Sequence, residues 1–216
     1  MPLALRDGFH FCIANDRTVF LDLVRDRYFC LPPTQDQLFK SIIAASPRHA
    51  SREIAESLAS VLIERPAASF VRPVAVARPV SEVHAYDSVY LPDLIIAVAY
   101  HLDTVRRLRR LSLHTVLDGL KKQKDLAYAC PRPASAIPEH FSTVFAAASR
   151  LLSKHDQCLR CSIAFVRFCA GRGYYPDLVI GVRMYPFRAH AWVQAGDRVL
   201  NDTVDNVAPY TPILVV

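Results

Sequence analysis

Hydrophobic residues near the start of the chain occur in short runs that are separated by pairs of polar residues. Phe9 to Ala14, Thr18 to Val24 and Tyr28 to Leu31 are β-type runs, and Asn15-Asp16 and Arg25-Asp26 lie between them. Polar pairs of this kind mark turns between strands. The pattern predicts a three-stranded meander.

Apolar residues change to a helical spacing after the third run. Thr34-Gln-Asp-Gln37 fits a capping box, in which the Thr34 hydroxyl and the Gln37 amide satisfy free backbone groups at a helix start. A second helix is predicted to begin at Ser51 and to stop before Pro66, because apolar residues recur at helical spacing between them. The order βββαα is therefore predicted for the N-terminal region.

A proline-rich stretch follows and predicts a domain boundary. Four prolines interrupt any helix there: Pro66, Pro73, Pro79 and Pro92. A chain of 216 residues suits one medium domain or a small module joined to a larger one, and length alone leaves both open. The change to a proline-rich composition favours a division into three parts: a small module (residues 1–72), a linker (73–92) and a larger domain (93–216).

The C-terminal region begins with helical patterns over 93–112, 113–127 and 139–153. A fourth helix is predicted to start after Asp156 as its cap and to end at Gly171-Arg-Gly173, a glycine-rich stop signal. Cys158 falls in its first turn. Free backbone N–H groups and the helix dipole at that end favour a thiolate, which makes Cys158 a candidate nucleophile.

A strand over Leu178 to Arg183 is followed by a predicted hairpin with a three-residue loop at Gly196. Symmetric pairing about Gly196 places His190 opposite Asp202 and Trp192 opposite Leu200. Cross-strand neighbours have Cβ atoms about 4.5–5.5 Å apart, so the Asp202 carboxylate could orient the His190 imidazole. The other ring nitrogen would then be free to take a proton from a thiol.

Two other interpretations of these residues stay open. His155, Cys158 and Cys161 together with His190 offer four ligands of the kind that zinc prefers. If the stretch from His155 to Cys161 were helical, its three ligands would follow one another at steps of three residues and would turn away from a common point. His190 and Asp202 could also be an ordinary polar pair, and we interpret the other cysteines (12, 30, 130, 161 and 169) as small buried apolar residues.

Composition and charge limit the remaining choices. The chain is 52% hydrophobic and 21% charged, which favours a folded core over intrinsic disorder. The longest apolar stretch, Leu94 to Leu102, is too short to span a bilayer, and the first residues lack a signal-peptide pattern, so a cytoplasmic protein without a transmembrane segment is expected.

The formal net charge of +6 fits nucleic acid, an anionic membrane or an acidic peptide. The sequence contains no recognition motif for nucleic acid. A basic nucleic-acid-binding module is therefore the weaker alternative.

Five segments between residues 158 and 202 resemble the leader peptidases of lasso-peptide biosynthesis, the McjB type: Cys158-Leu-Arg-Cys-Ser162, Leu178-Val-Ile-Gly-Val-Arg183, Pro186-Phe187, His190-Ala-Trp-Val193 and Val199-Leu-Asn-Asp202. In that family the matching Cys, His and Asp form a triad, which implies Cys158, His190 and Asp202 here. Many relatives carry Arg where this chain has Cys161.

The resemblance implies an α+β fold: a small winged βββαα(α) element and a papain- or transglutaminase-like domain with its nucleophile helix packed on an antiparallel sheet. Residues 1–72 resemble the PqqD-like elements that recognise leader peptides, with a peptide strand added beside Arg27, Tyr28, Phe29, Cys30 and Leu31. The implied partners are a precursor peptide and a lasso cyclase resembling asparagine synthetase. No cofactor or metal is implied, and the chain lacks a phosphate-binding glycine loop for ATP.

Overall fold

A computed structural model of the chain describes residues 3–45, 52–64, 73–83, 89–129, 137–152 and 157–216. The chain divides into two compact units, Met1–Ala75 and Val76–Val216. Within the described ranges, no helix combines the length and the apolar character that crossing a bilayer requires.

The described part of the N-terminal unit contains five strands and two helices: β1 (Leu3–Leu5), β2 (Phe9–Ala14), β3 (Arg17–Asp22), β4 (Arg27–Cys30), α1 (Pro33–Ala45), α2 (Arg52–Ser57) and β5 (Leu62–Glu64). Strands β2, β3 and β4 form the predicted antiparallel meander. Asn15 and Asp16 form the first turn with φ angles of 48° and 59°, as a two-residue type I′ hairpin turn requires.

Aromatic rings fill the core of this unit. The Phe39 ring of α1 lies 5.1 Å from the Phe11 ring and 5.0 Å from the Phe20 ring, at steep interplanar angles. All three side chains are buried, and Leu58 and Val61 belong to the same cluster. Burial of each Phe contributes about 1.5–3 kcal/mol, so this contact is a main reason why α1 stays on the meander.

Two predictions about these helices are wrong. Helix α1 begins at Pro33, so Thr34 lies inside the helix and not at its cap. The second helix ends at Ser57 and does not continue to Pro66, because Leu62–Glu64 leaves it to pair with β1. That pairing joins segments far apart in sequence, and local periodicity does not report it.

The described part of the C-terminal unit contains five strands and five helices: β6 (Ser81–Glu82), α3 (Leu91–Arg110), α4 (Leu113–Tyr128), α5 (Glu139–Leu152), α6 (Cys158–Ala170), β7 (Asp177–Arg183), β8 (Arg188–Ala195), β9 (Arg198–Val199), α7 (Val204–Val207) and β10 (Thr211–Val215). The sheet order is β10-β7-β8-β9-β6. Its strands are antiparallel except for β6, which runs parallel to β9.

Helix α6 is held between the sheet and α3. Ser162 Oγ donates to the Ala191 carbonyl of β8 at 3.0 Å. On the α3 side, the Arg167 guanidinium donates to Thr104 at 2.7 Å and to Asp103 at 2.6 Å. The predicted α+β class is confirmed, with α6, the helix that begins at Cys158, packed on an antiparallel sheet.

The stretch predicted as a linker, 73–92, differs from that prediction. The division between the units falls inside it, after Ala75, and β6 adds to the sheet of the C-terminal unit. Gln194 Nε2 also donates to the Ala77 carbonyl at 3.0 Å. Pro73 and Pro79 disfavour a helix in the part that carries β6 but still allow an edge strand, so the composition did not distinguish a linker from a sheet edge.

Candidate active site

Cys158 is the first residue of α6 and so lies in the first turn, where it was predicted to lie. Its N-cap residue is Gln157, whose side chain makes no capping hydrogen bond, and the predicted cap Asp156 lies outside the described residues. The first turn of a helix has backbone N–H groups without helical partners. The sulfur therefore sits where the backbone favours a negative charge.

Three groups act directly on the Cys158 thiol. Burial alone would raise its pKa, but hydrogen bonds with the His190 side chain and with the backbone N–H groups of Ala191 and Leu159, together with the charge of His190, outweigh burial and lower the pKa below the ordinary value of a cysteine. Among the described cysteines the thiolate is favoured at this position.

The other described cysteines show the opposite trend. Burial raises the pKa of Cys12 and Cys169 to about 12, and it also raises the pKa of Cys30 and Cys161. A raised pKa keeps a thiol protonated and unreactive at neutral pH. The contrast separates Cys158 from the cysteines that were interpreted as apolar residues.

His190 projects from β8 and connects the two other residues of the predicted triad. Its Nε2 atom lies 2.6 Å from Asp202 Oδ2, so Nδ1 is the ring nitrogen left for Cys158. The ring is flanked by Trp192, with centroids 6.2 Å apart, and by Tyr210, at 5.1 Å. These contacts fix the plane of the imidazole.

Burial would lower the pKa of His190, but the hydrogen bonds and charges of Asp202 and Cys158 outweigh it and raise the pKa to about 9. At neutral pH the imidazole is therefore protonated. A protonated His190 between a carboxylate and a thiol with lowered pKa is the arrangement of a thiolate–imidazolium pair.

Asp202 lies in the loop between β9 and α7. Burial would raise its pKa, but the hydrogen bond from His190 and those from Asn206 and the Thr203 backbone lower it. Asn206 Nδ2 donates to Asp202 Oδ1 at 2.9 Å, and the Thr203 N–H donates to the same oxygen at 2.8 Å. The carboxylate is thus charged and held from two sides.

The predicted hairpin register is wrong by one residue. Gln194 pairs with Val199 and Ala195 with Arg198, which leaves a two-residue turn at Gly196-Asp197. Gly196 has a φ of 61°, as the first central residue of a type II′ turn requires. Strand β9 ends at Val199, so Asp202 is not a cross-strand neighbour of His190, although their side chains meet.

Sequence reasoning missed two residues beside the triad, Ser162 and Asn201. Asn201 Nδ2 donates to Ser162 Oγ at 2.9 Å, and Asn201 Oδ1 accepts from the Val193 N–H at 2.7 Å. The sequence did contain an indication for Ser162: it follows Cys158 by one helical turn and therefore lies on the same face of α6. Asn201 directly precedes Asp202.

The five residues predicted to bind a leader peptide, Arg27 to Leu31, belong to the N-terminal unit. Arg27–Cys30 forms β4, and Leu31 is buried just after it. In the described part of that unit, β4 pairs with β3 on one side and has no strand on the other. An edge strand of this kind can accept an added peptide strand.

Metal-binding and nucleic-acid-binding alternatives find limited support. The described ranges contain no group of three or more His, Cys, Asp or Glu side chains placed to hold a metal ion, and His155 lies outside those ranges.

Three of the basic residues on α3 and α4 form ion pairs: Arg107 with Asp103, Lys122 with Asp118, and Lys124 with Asp177. Part of the positive charge of α3 and α4 is therefore neutralised by neighbouring carboxylates.

Comparison with known proteins gives two matches. A family model described as the transglutaminase-like superfamily matches residues 98–215, which include all three residues of the predicted triad. The chain is also similar to the microcin J25-processing protein McjB of Escherichia coli, with 47% identity over 47 residues. That alignment covers 22% of this chain and 23% of the relative, so it spans about a quarter of the relative's length. No solved structure matches.

Proposed function

The chain belongs to the transglutaminase-like superfamily, and from that premise we propose that it is a cysteine peptidase that removes the leader peptide from a lasso-peptide precursor. The observation that carries the proposal is the hydrogen-bonded series from Cys158 through His190 to Asp202. The similarity to a microcin J25-processing protein supports the choice of substrate class.

The proposed reaction begins from the thiolate–imidazolium pair. The Cys158 thiolate attacks the carbonyl carbon at the junction between leader and core, and the carbonyl oxygen becomes an oxyanion. The Cys158 backbone N–H, which has no helical acceptor at this end of α6, stabilises that oxyanion. Asp202 keeps the imidazolium charged and correctly oriented.

The C–N bond then breaks as His190 Nδ1 gives its proton to the departing amine of the core. The leader remains on Cys158 as a thioester. His190, now neutral, takes a proton from water, and the resulting hydroxide attacks the thioester carbonyl. The leader leaves as a carboxylic acid, and the thiolate–imidazolium pair is restored.

The N-terminal unit supplies substrate recognition in this proposal. Residues 1–72 act as a PqqD-like recognition element, and the leader adds a strand along the edge of β4 that lies opposite β3, from Arg27 to Leu31. Main-chain hydrogen bonds would give affinity, and pockets for alternate side chains would give specificity. A fragment of residues 1–75 should bind a fluorescent leader peptide if this assignment is right.

The proposal places the chain in the cytoplasm beside a partner lasso cyclase that resembles asparagine synthetase. The cyclase would use ATP to join the freed core amine to an acidic side chain of the core. The peptidase step itself needs neither ATP nor a metal, because the nucleophile and both proton-transfer groups come from the chain.

The deciding experiment incubates the purified full chain with a precursor peptide in H₂¹⁸O, with and without the cyclase. Mass spectrometry should detect a core with a free amine and a leader acid that carries one ¹⁸O atom in its new carboxylate. Cys158→Ala should abolish both products and still bind the leader. Cys161→Ala is the matched control and should retain cleavage.

Two results would contradict the proposal. Cleavage by Cys158→Ala at the wild-type rate would exclude the thiol as nucleophile. A leader product without ¹⁸O would show that the thioester passes to an amine and not to water, which would make the chain a transferase.

A further inference from the structure

On the side of β8 that faces β9, the backbone groups of β8 lose their strand partner at the point where β9 ends. Strand β9 has only two residues, and the last backbone bond on this side runs from the Leu200 N–H to the Val193 carbonyl at 2.8 Å. Beyond that point the backbone groups of β8 continue into the buried region around Ala191, which is 3% exposed. Buried backbone groups require partners.

Side chains take the place of the missing strand. The Val193 N–H donates to Asn201 Oδ1 at 2.7 Å, and the Ala191 carbonyl accepts from Ser162 Oγ at 3.0 Å. The Ala191 N–H donates to the Cys158 sulfur. The reactive sulfur therefore occupies a hydrogen-bonding position that a strand carbonyl would fill in a longer sheet.

Ser162 and Cys158 bind the two backbone groups of the same residue. They are four residues apart on α6, so their side chains lie one above the other on one face of the helix. Ser162 is fully buried and accepts from Asn201 Nδ2 at 2.9 Å while it donates to Ala191. Both hydrogen-bonding roles of its hydroxyl are thus used to join α6 to β8 and to the loop that precedes Asp202.

We propose that Ser162 and Asn201 are positioning residues that hold α6 on the open edge of β8, so that the Ala191 backbone N–H points at the Cys158 sulfur. The inference rests on the proposed function, because it concerns the nucleophile of that reaction. The Ala191 N–H carries a fixed partial positive charge and does not titrate in the pH range of the experiment. It stabilises the thiolate whatever the protonation state of His190.

The test measures the thiolate directly and needs no peptide substrate. Full-length protein is alkylated with iodoacetamide over a range of pH, and the rate at Cys158 is followed by peptide mapping. Ser162→Ala should raise the midpoint of this pH dependence by about one unit, which corresponds to about tenfold slower alkylation at a pH well below the midpoint. Ser162→Thr, which keeps a hydroxyl, should restore the wild-type midpoint.

Asn201→Ala provides a second route to the same contact and should shift the midpoint in the same direction. The double variant should shift it no further than the larger single effect, since both residues act through one contact. Ser142→Ala is the matched control. Ser142 is also a buried serine, its hydroxyl makes no hydrogen bond among the described residues, and its loss should leave the midpoint unchanged.

The inference would be overturned if Ser162→Ala left the midpoint of the alkylation–pH profile unchanged, or if the shifts of the two single variants added fully in the double variant. Should Ser162→Ala not fold, an unchanged midpoint in Asn201→Ala would do the same. Failure of the wild-type protein to cleave precursor would refute the proposed function alone, because the alkylation profile does not depend on it.

Discussion

His190 Nε2 lies 2.6 Å from Asp202 Oδ2, although the two residues are not paired in the sheet. The chain leaves β9 after Val199, and the Asp202 carboxylate returns to the imidazole from a loop. Hydrogen bonds from Thr203 and Asn206 to its other oxygen hold it there. The acid is thus placed by its own loop and not by the strand register.

The variant Asp202→Asn should distinguish two effects of Asp202 on His190: orientation of the imidazole ring and stabilisation of its positive charge. An asparagine oxygen can still accept a hydrogen bond from Nε2, but it no longer stabilises a charged imidazolium. We expect the pKa of His190 to fall from about 9 and the cleavage rate at pH 7 to fall by about 10²-fold or more. Asp205→Asn is the matched control, since Asp205 is an exposed acid in the first turn of the adjacent helix α7, and it should be neutral. Equal losses in both variants would contradict a specific role for Asp202.

The rate of precursor cleavage should show a bell-shaped dependence on pH. Activity should rise with pH as Cys158 loses its proton, with a midpoint below the ordinary pKa of a cysteine because the pKa of Cys158 is lowered. It should fall again near pH 9, where His190 loses the proton that the departing amine needs. The two midpoints belong to the coupled pair and not to either residue alone.

Alkylation of Cys158 distinguishes the two limbs of that profile. The thiolate is sufficient for alkylation, so its rate should not decline above pH 9, whereas peptide cleavage should. A cleavage rate that stays constant from pH 9 to about 11 would argue against His190 as the acid that protonates the amine.

The parts of the fold that local sequence encodes were predicted well. Helices α3, α4 and α5 begin and end within a few residues of their predicted limits, because apolar periodicity and the flanking prolines are local signals. The β2–β4 meander followed from its polar turns for the same reason.

The parts that depend on distant partners were not predicted. Strands β1, β5 and β6 have only two or three residues, and each forms because a distant segment offers free backbone groups. The hairpin register failed because a single glycine serves both two-residue and three-residue turns. The incorrect register placed His190 opposite Asp202 in the sheet. In the structure the loop after β9 brings their side chains together. The pattern of strands in the sequence does not predict the path of that loop.

Glu82 should matter to the active site although it lies far from it in sequence. Its Oε2 atom accepts from the Val204 N–H at 2.5 Å across 122 residues, and Val204 follows Asp202 by two residues. Glu82→Ala should lower the free energy of unfolding by about 1–3 kcal/mol and reduce cleavage several-fold. Glu82→Gln retains an acceptor and should lose less of both, as measured by chemical denaturation and product formation.

The same contact predicts where a peptidase fragment must begin. Residues 76–216 retain Glu82 and β6, whereas residues 93–216, the limits that sequence alone predicted, lack both. We expect the longer fragment to show a cooperative unfolding transition and the shorter one to be destabilised. Equal stability of the two fragments would show that β6 is dispensable.

Gly181 should tolerate no side chain, because it faces the rings that hold His190. A Cβ atom there would lie 2.8 and 2.9 Å from two carbons of the Trp192 ring and 3.0 Å from Tyr210 Cβ. The Trp192 indole cannot easily move, since it is buried and its Nε1 donates to Gln194 Oε1 at 2.8 Å.

Gly181→Ala should therefore destabilise the protein by about 1–3 kcal/mol and lower cleavage, because Trp192 and Tyr210 both flank the His190 imidazole. Gly119→Ala is the matched control. A Cβ atom at Gly119 meets nothing within 4 Å, and an alanine there in the middle of α4 should stabilise the helix by about 0.5–1 kcal/mol. Denaturant unfolding measures both effects, and a Gly181→Ala variant as stable and active as Gly119→Ala would mean that these rings do not fix His190.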